Sequence, residues 1–224
     1  SHPHKGITHN NLAMLHDKQG ALDDARVHYE RAIEILGRAL AEDHFLTSYP
    51  LANLAEVELR ADHDEAARGL AARALAIREA KSGGAPSQAL VKPLRVLGEL
   101  ALREGARARA AEYIDRAITV AEIAYGPKSK KLARPCLLRA RLDRAQGRLD
   151  DAARQLERGR EVVNDSRLAA ELALEQAELE LARGHARAAR ARAEEARELL
   201  KQGAQRREDP LRRTITAWLV AHPA

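Results

Sequence analysis

The sequence predicts an all-α protein that consists of five antiparallel helix pairs and one further helix at the C-terminal end. Aromatic residues make up only 3% of its 224 residues, whereas apolar residues make up 45% and charged residues 32%. A core with so few large side chains must rest on Leu and Ala, which pack well between helices and poorly between sheets. One pattern of residues also recurs five times, and a glycine marks the same place in most copies. These observations predict a helical repeat protein.

The recurring pattern begins as "NNLAMLHDKQGALDDARVHYERAIEI" and returns after 42, 43, 42 and 37 residues. Each copy carries three small residues at spacings of 12 and 7: Ala13, Ala25 and Ala32; Ala55, Ala67 and Ala74; Gly98, Ala110 and Ala117; Ala140, Ala152 and Gly159; Ala177, Ala189 and Ala196. Small side chains let helix axes approach closely, so we expect each copy to fold as helices A and B that pack together at these positions. An apolar residue stands ten positions before the second small residue of each copy: Leu15, Val57, Leu100, Leu142 and Leu179.

A turn separates the two predicted helices of each copy. Glycine stands there in four copies and Asp62 in the second, the glycines being Gly20, Gly105, Gly147 and Gly184. Glycine ends a helix readily because it adopts the left-handed conformation without a Cβ penalty. Acidic residues follow at the start of helix B in three copies: Asp23, Asp24, Asp64, Glu65, Asp150 and Asp151. Carboxylates at that place complement the positive end of a helix, which explains them without catalysis.

These features resemble the tetratricopeptide repeat, whose units carry small residues at corresponding places in helices A and B. The usual period is about 34 residues, and the longer period here, with "NNLAML", "QGALDDA" and "RALAIRE", resembles the kinesin light chain type. The resemblance extends from residue 1 to about residue 200. It implies a right-handed superhelix whose A helices line a concave groove. We therefore predict a single domain, 1–224, with repeats at about 1–43, 44–84, 85–125, 126–165 and 166–203 and a capping helix at about 209–221.

The capping helix is predicted from the segment "DPLRRTITAWLVAHPA". Asp209 suits the N-cap and Pro210 the first helical position. Leu211, Ile215, Trp218 and Leu219 then share one face, which is expected to cover the last repeat. Trp218 is therefore predicted to be part of the core.

Two departures from the repeat pattern lead to further expectations. Arg139 and Gln176 stand where Leu12, Leu54 and Leu97 stand in the first three copies, so we expect that face to be rotated or partly exposed in copies four and five. Prolines also recur five residues before the first small residue, as Pro50, Pro93 and Pro135. The favoured interpretation is a long helix A that each proline kinks. In the alternative, helix A begins near the proline and the residues before it form a separate segment.

No motif for catalysis or cofactor binding occurs in the sequence. It has no His-Glu-x-x-His, Cys-x-x-Cys, Gly-x-Ser-x-Gly or phosphate-binding glycine loop, so we predict no enzymatic activity, no metal site and no cofactor. His9 and His16 are seven residues apart and lie where helix A meets its neighbours. We expect both to be core or half-buried residues.

The candidate binding residues form a stripe along the A helices. They are Asn10, Asn11, Met14, Tyr49, Asn53, Glu56, Lys92, Arg95, Glu99, Arg134, Arg141 and Arg144. In the kinesin light chain type, asparagines at this place can hydrogen-bond the backbone of an extended peptide, and an amide both donates and accepts. The alternative is a solvated polar surface. The cations, together with Arg103, would pair with carboxylates or phosphate, or form a solvated surface partly neutralised by Glu99 and Glu104.

The sequence thus predicts a non-enzymatic interaction module that binds an extended, acidic peptide in the concave groove. The first alternative is a ligand-sensing or dimerising regulatory domain of a larger signalling protein, such as a bacterial kinase or regulator with a C-terminal repeat region. The second is RNA or DNA binding through residues 92–224, which carry 28 basic and 20 acidic side chains, a net charge of +8. One cysteine, Cys136, and the lack of a long apolar run predict a cytoplasmic protein without a membrane partner.

Overall fold

A computed structural model describes residues 2–83, 85–202 and 209–223. These residues form eleven α-helices and no strand, which confirms the all-α prediction. The helices are α1 (Pro3–Gln19), α2 (Leu22–Leu40), α3 (Ser48–Arg60), α4 (Asp64–Ser82), α5 (Val91–Arg103), α6 (Arg107–Tyr125), α7 (Ala133–Ala145), α8 (Leu149–Val162), α9 (Ser166–Ala182), α10 (Ala186–Gln202) and α11 (Pro210–Ala221). Short 3-10 segments, Gln88–Leu90 and Lys130–Leu132, precede α5 and α7.

The chain divides into two compact units, Ser1–Ala124 and Tyr125–Ala224. The first unit contains the pairs α1 and α2, α3 and α4, and α5 with α6. The second contains α7 and α8, α9 and α10, and then α11. The predicted helices A are α1, α3, α5, α7 and α9, the predicted helices B are α2, α4, α6, α8 and α10, and α11 is the predicted capping helix. The single solenoid domain and its superhelical hand stay predictions.

The matched small residues are the places where helices A and B approach each other. All fifteen are buried. Gly98 on α5 shows why size matters, because a Cβ atom there would lie 2.8 Å from Ile114 Cγ1 on α6. Gly159 on α8 lies against its own helix A, since a Cβ there would lie 3.5 Å from Cys136 Cβ on α7, and also against the next copy, 3.0 Å from Leu172 Cδ2 on α9. The predicted close approach is therefore confirmed.

The predicted turns between helices A and B have the predicted backbone. Gly20, Gly105, Gly147 and Gly184 have φ angles of 72°, 72°, 75° and 81°, all in the left-handed region. Asp62 takes the same conformation with φ 59°, an uncommon choice that aspartate tolerates better than most residues. Its carboxylate also accepts a hydrogen bond from Arg103 Nη1 at 3.0 Å.

The favoured prediction for the recurring prolines is wrong. Helices α3, α5 and α7 begin two residues before Pro50, Pro93 and Pro135, so each proline is the third residue of its helix. Residues 88–90, which a long kinked helix would have included, form a separate 3-10 segment before α5. The reason is that the first N–H groups of a helix have no partner within it, so proline loses no hydrogen bond there.

The two polar substitutions on helix A leave the packing register unchanged. Arg139 and Gln176 are half-buried, which confirms that their face is partly exposed. Arg139 Nε donates to Asp143 Oδ2 at 3.1 Å, and Gln176 Oε1 accepts from Arg160 Nη1 at 2.6 Å. Leu142, which follows Arg139 on the same helix, stays fully buried, so that helix is not rotated.

Helix α11 covers the end of the second unit as predicted. Asp209 caps it by accepting a hydrogen bond from the Leu211 amide at 2.9 Å. Ile215, Trp218 and Leu219 are buried against an alanine-rich surface on α9 and α10, and Leu211 packs at its edge. The Trp218 indole donates to Glu178 Oε1 at 2.8 Å, which satisfies its one polar group.

Candidate functional site

Nine of the twelve predicted binding residues lie in the first unit, on its three A helices. We call this surface the A-helix face: Asn10, Asn11 and Met14 on α1, Tyr49, Asn53 and Glu56 on α3, and Lys92, Arg95 and Glu99 on α5. Met14 and Tyr49 are exposed, at 40% and 44%. Most of the polar members are half-buried and joined to one another by hydrogen bonds. The structure therefore brings these residues together across three neighbouring helices.

Two asparagines and a lysine form a continuous row across the A-helix face. Asn53 Nδ2 donates to Asn10 Oδ1 at 3.1 Å, and Lys92 Nζ donates to Asn53 Oδ1 at 2.7 Å. The Asn10 amide makes weaker contacts, since its Nδ2 lies 3.4 Å from Asn11 Oδ1 and 3.7 Å from Met14 Sδ. The row places one polar side chain on each of α1, α3 and α5. Asn10 keeps the greatest capacity for further hydrogen bonds.

Glu56 holds the positive charges of the A-helix face. Its carboxylate lies 2.8 Å from Lys92 Nζ and accepts a hydrogen bond from Arg95 Nη2. Arg95 Nη1 also lies 3.7 Å from Glu99. Burial by itself raises the pKa of Glu56, but the attraction of Arg95 and Lys92 outweighs it and holds the pKa well below the usual range. Glu56 is therefore ionised, and two of the predicted cations already have an anionic partner.

Tyr49 contacts an arginine that the stripe along helix A does not include. The Arg78 guanidinium, on α4, lies 4.0 Å from the centroid of the Tyr49 ring and 5.7 Å from that of Phe45. Arg78 belongs to a helix B, so counting along the A helices passes over it. The signal that points to this place is "HFLTSYP", which concentrates two aromatic residues in a chain that has few.

The remaining three predicted residues lie on α7 in the second unit. Each pairs with a carboxylate on α9. Arg134 Nη2 donates to Glu171 Oε1 at 3.1 Å, Arg141 Nε lies 3.2 Å from Glu175, and Arg144 Nε lies 2.6 Å from Glu175. The charges of these arginines are thus neutralised by carboxylates on α9, whereas the sequence points to Glu99 and Glu104.

The histidines of the first unit pack against one another. His9 Nδ1 lies 2.9 Å from His28 Nδ1, and the rings of His16 and His28 stack with centroids 5.3 Å apart. His9 and His16 are half-buried, as predicted. In residues 2–83, 85–202 and 209–223, no group of three or more His, Cys, Asp or Glu side chains could hold a metal ion.

His9 is expected to make the stability of the first unit depend on pH. Burial, followed by the nearby His28 and Arg31, lowers the pKa of His9 below its ordinary value of 6.5. As the pH falls, His9 is therefore protonated in the unfolded chain before it is protonated in the folded protein. The free energy of unfolding is fully present above about pH 6.5 and decreases as the pH falls below that value. We expect the thermal midpoint to fall between about pH 7.5 and about pH 5.5.

The His9→Gln variant should show a smaller fall of the midpoint over the same pH interval. His4→Gln is the matched control, because His4 is an exposed residue of the same helix. An identical pH dependence in wild type and His9→Gln would contradict the assignment.

A cavity of about 650 Å³ lies between α2, α3 and α4 and is open to solvent. Its apolar lining includes Ile33, Leu51, Leu54 and Leu70. Its lining also contains charged side chains of both signs: Arg26, Arg73, Glu30, Glu34, Glu58 and Glu65. The shape is that of a surface groove, whereas the ligand-sensing alternative would be favoured by a closed apolar pocket.

The Tetratricopeptide repeat family model matches residues 5–80. Among solved structures, BtubC (BKLC) from P. vanneervenii is 19% identical with a TM-score of 0.65, over 88% of this chain and 82% of that one. The chain folds as a tetratricopeptide repeat array. The nearly identical TPR-like repeats of a Podosopora anserina putative kinesin light chain are 18% identical with a TM-score of 0.63, over 92% and 100%. YrrB, a TPR protein with an unusual peptide-binding site, is 17% identical with a TM-score of 0.50, over 88% and 87%.

These comparisons confirm the tetratricopeptide repeat resemblance, and the fold of the array supports a protein–protein interaction scaffold. No curated protein matches the array. Where the structure describes the chain, none of the helices combines the length and the apolar character needed to cross a membrane.

Proposed function

We propose that the array is a non-enzymatic module that binds an extended, acidic peptide along the A-helix face of the first unit. The observation that carries this proposal is the row of Asn10, Asn53 and Lys92 across three neighbouring helices, with contacts of 3.1 Å and 2.7 Å. YrrB, with its peptide-binding site, supports peptide binding by this fold in general. The cytoplasmic location and a role in bacterial signalling stay predictions.

Asparagine suits the backbone of an extended peptide for a chemical reason. An extended chain presents N–H and C=O groups at regular intervals of about 3.3 Å per residue. A side-chain amide offers one acceptor oxygen and two N–H donors, so it can satisfy both backbone groups. The weak contacts of the Asn10 Nδ2 atom leave it able to donate to a peptide carbonyl. Asn53 lies beside it and fixes its orientation.

The preference for an acidic peptide rests on the cations along the A helices. The Lys92 side chain is 39% exposed, so its ammonium can accept a further carboxylate beside Glu56. Arg134, Arg141 and Arg144 are the corresponding candidates in the second unit. A peptide carboxylate must compete there with Glu171 and Glu175, which already pair with these arginines. We therefore expect Lys92 to contribute more to peptide binding than they do.

The proposal is tested with an acidic peptide that is selected by screening a peptide library against the wild-type protein. Fluorescence polarisation then measures the affinity of each variant for this peptide. We expect Asn53→Ala to weaken binding by about tenfold, the effect of losing roughly 1 to 1.5 kcal/mol of hydrogen bonding. Asn164→Ala is the matched control, because Asn164 is an exposed asparagine outside the A-helix face.

Arg141→Glu extends the test to the second unit by reversing a charge on α7. Equal affinity of wild type, Asn53→Ala and Arg141→Glu for every selected peptide would remove these A helices as the binding site. Thermal unfolding of each variant shows whether it is folded at the assay temperature.

A further inference from the structure

Arg78 differs from the other buried arginine of the described residues in having no anionic partner. Arg78 and Arg95 are 8% and 9% exposed. Arg95 pairs with Glu56, whereas Nε and Nη2 of Arg78 are buried and have no hydrogen-bond partner. A buried guanidinium normally needs both a counter-charge and acceptors for its N–H groups. The Arg78 environment supplies neither.

Aromatic rings stabilise the faces of the Arg78 guanidinium and leave its edge unsatisfied. Its Cζ atom lies 4.0 Å from the Tyr49 ring centroid, within the range of a cation–π contact. The Phe45 ring, at 5.7 Å, provides a second contact. The unpartnered Nε and Nη2 atoms belong to one side of the planar group, the side that binds a carboxylate through two parallel hydrogen bonds. The free edge therefore has the geometry of a carboxylate receptor.

The acidic residues closest to Arg78 pair with other cations. They are Glu79, next to it in the sequence, and Glu42 and Asp43, just before its aromatic partner Phe45. Glu42 and Asp43 lie 3.4 Å and 3.7 Å from Arg73, and Glu79 pairs with Arg116. The free edge is thus not neutralised by the carboxylates that stand closest along the chain.

The segment between Phe45 and Tyr49 contains a second polar group without a partner. Thr47 is fully buried, and its Oγ1 atom makes no hydrogen bond with any described residue. The neighbouring Ser48 hydroxyl, in contrast, donates to the Phe45 carbonyl at 2.7 Å. A hydroxyl can donate to a carboxylate oxygen. Thr47 is therefore a second buried polar group without a partner, in the segment that carries both aromatic partners of Arg78.

We propose that Arg78, with Tyr49 and Thr47, forms a binding site for the side-chain carboxylate of an acidic peptide. The proposal rests on the proposed function, because Tyr49 belongs to the A-helix face and the occupant is an acidic residue of the same peptide. Tyr49 is 44% exposed and covers the guanidinium, so its rotation opens the site. The carboxylate then accepts hydrogen bonds from Nε and Nη2 of Arg78, and the Phe45 ring stays beside the guanidinium.

Sodium acetate tests the site without any peptide. In ¹⁵N-labelled protein, the arginine Nε–H resonances are followed during titration, and the Arg78 signal is identified by its loss in Arg78→Lys. We expect this signal to shift saturably with acetate, while sodium chloride at equal ionic strength leaves it in place. No shift, or the same shift with chloride, would overturn the proposal.

A peptide comparison tests the same site in its functional setting. Arg78→Lys keeps the positive charge over the rings and removes the two-donor edge, and we expect it to bind the selected acidic peptide about tenfold more weakly. A peptide with Gln in place of each Glu should bind wild type and Arg78→Lys equally. Lys81→Met is the control, because Lys81 is an exposed cation of the same helix, and it should leave affinity unchanged. Thermal unfolding of both variants shows whether they are folded at the assay temperature.

The outcomes separate this inference from the proposed function. Wild-type affinity in Arg78→Lys, combined with weakened binding in Asn53→Ala, would overturn the Arg78 site and leave the A-helix face in place. Failure of every acidic peptide to bind wild type would remove the proposed function. The acetate titration would then decide the Arg78 site alone.

Discussion

Leu100→Ala is expected to lower the free energy of unfolding by about 2–5 kcal/mol, whereas Leu15→Ala should lower it by less than about 1 kcal/mol. The two leucines occupy the same repeat position, ten residues before the second small residue of their copy. Leu100 is fully buried and Leu15 is 51% exposed. Truncation of Leu100 removes apolar contacts and leaves a cavity, while at Leu15 much of the removed surface already faces solvent.

Urea denaturation followed by circular dichroism measures the two variants under identical conditions. The comparison is internal, because the residue type, the helix type and the position within the repeat are all the same. Equal losses in the two variants would show that Leu15 is packed in solution as tightly as Leu100, contrary to the structure.

Gly98→Ala should destabilise the first unit by about 1–2 kcal/mol, while the same change at Gly69 should stabilise it by about 0.5–1 kcal/mol. Alanine favours a helix over glycine at both positions. At Gly98, however, the new Cβ atom would lie 2.8 Å from Ile114 Cγ1, so α5 and α6 must move apart. At Gly69, on the exposed side of α4, the new Cβ atom would meet no atom of the described residues within 4 Å apart from the nearby backbone of its own helix.

Thermal unfolding of the two alanine variants tests the opposite signs directly. If Gly98→Ala raised the midpoint as Gly69→Ala does, the close approach of α5 and α6 would be refuted.

The sequence was sufficient for the repeat architecture because its determinants are local and periodic. Small residues such as Ala13 and Ala25 mark the contact between two helices of one copy, and every copy repeats the mark. Glycine at the turn indicates a left-handed backbone conformation, which its place between two helical patterns is sufficient to predict. The N-cap of α11, in which the Leu211 amide donates to the Asp209 carboxylate, likewise involves only residues that are close in the sequence. Local rules fix all three features.

The starts of the A helices could not be decided in the same way. Proline is acceptable in the first turn of a helix and, at a cost, in its interior. The sequence around Pro93 is compatible with both until the separate segment Gln88–Leu90 is seen. The error concerned where a helix begins, and it left the packing register of Gly98 unaffected.

The partners of the binding residues could not be predicted, because the sequence pattern was followed along one helix at a time. Glu56 pairs with Lys92 and Arg95, which are 36 and 39 residues away. The Asn10 and Asn53 contact joins residues 43 apart. Such pairs form only when neighbouring copies stack, so a list of cations gives no sign that their charges are balanced. Arg78 was missed for the related reason that it lies on a helix B.

The ion pairs of the A-helix face also bear on how the array unfolds. Lys92 and Glu56 belong to different repeats, and so do Arg60 on α3 and Asp17 on α1, which lie outside that face. These charges join neighbouring repeats. In a linear array the coupling between neighbours sets the cooperativity of unfolding. Salt weakens such half-buried pairs in part, and a peptide carboxylate bound at Lys92 beside Glu56 acts on the same contact. The side chains that are proposed to bind a ligand therefore also couple neighbouring repeats, so a change in one of them alters both ligand affinity and the cooperativity of unfolding.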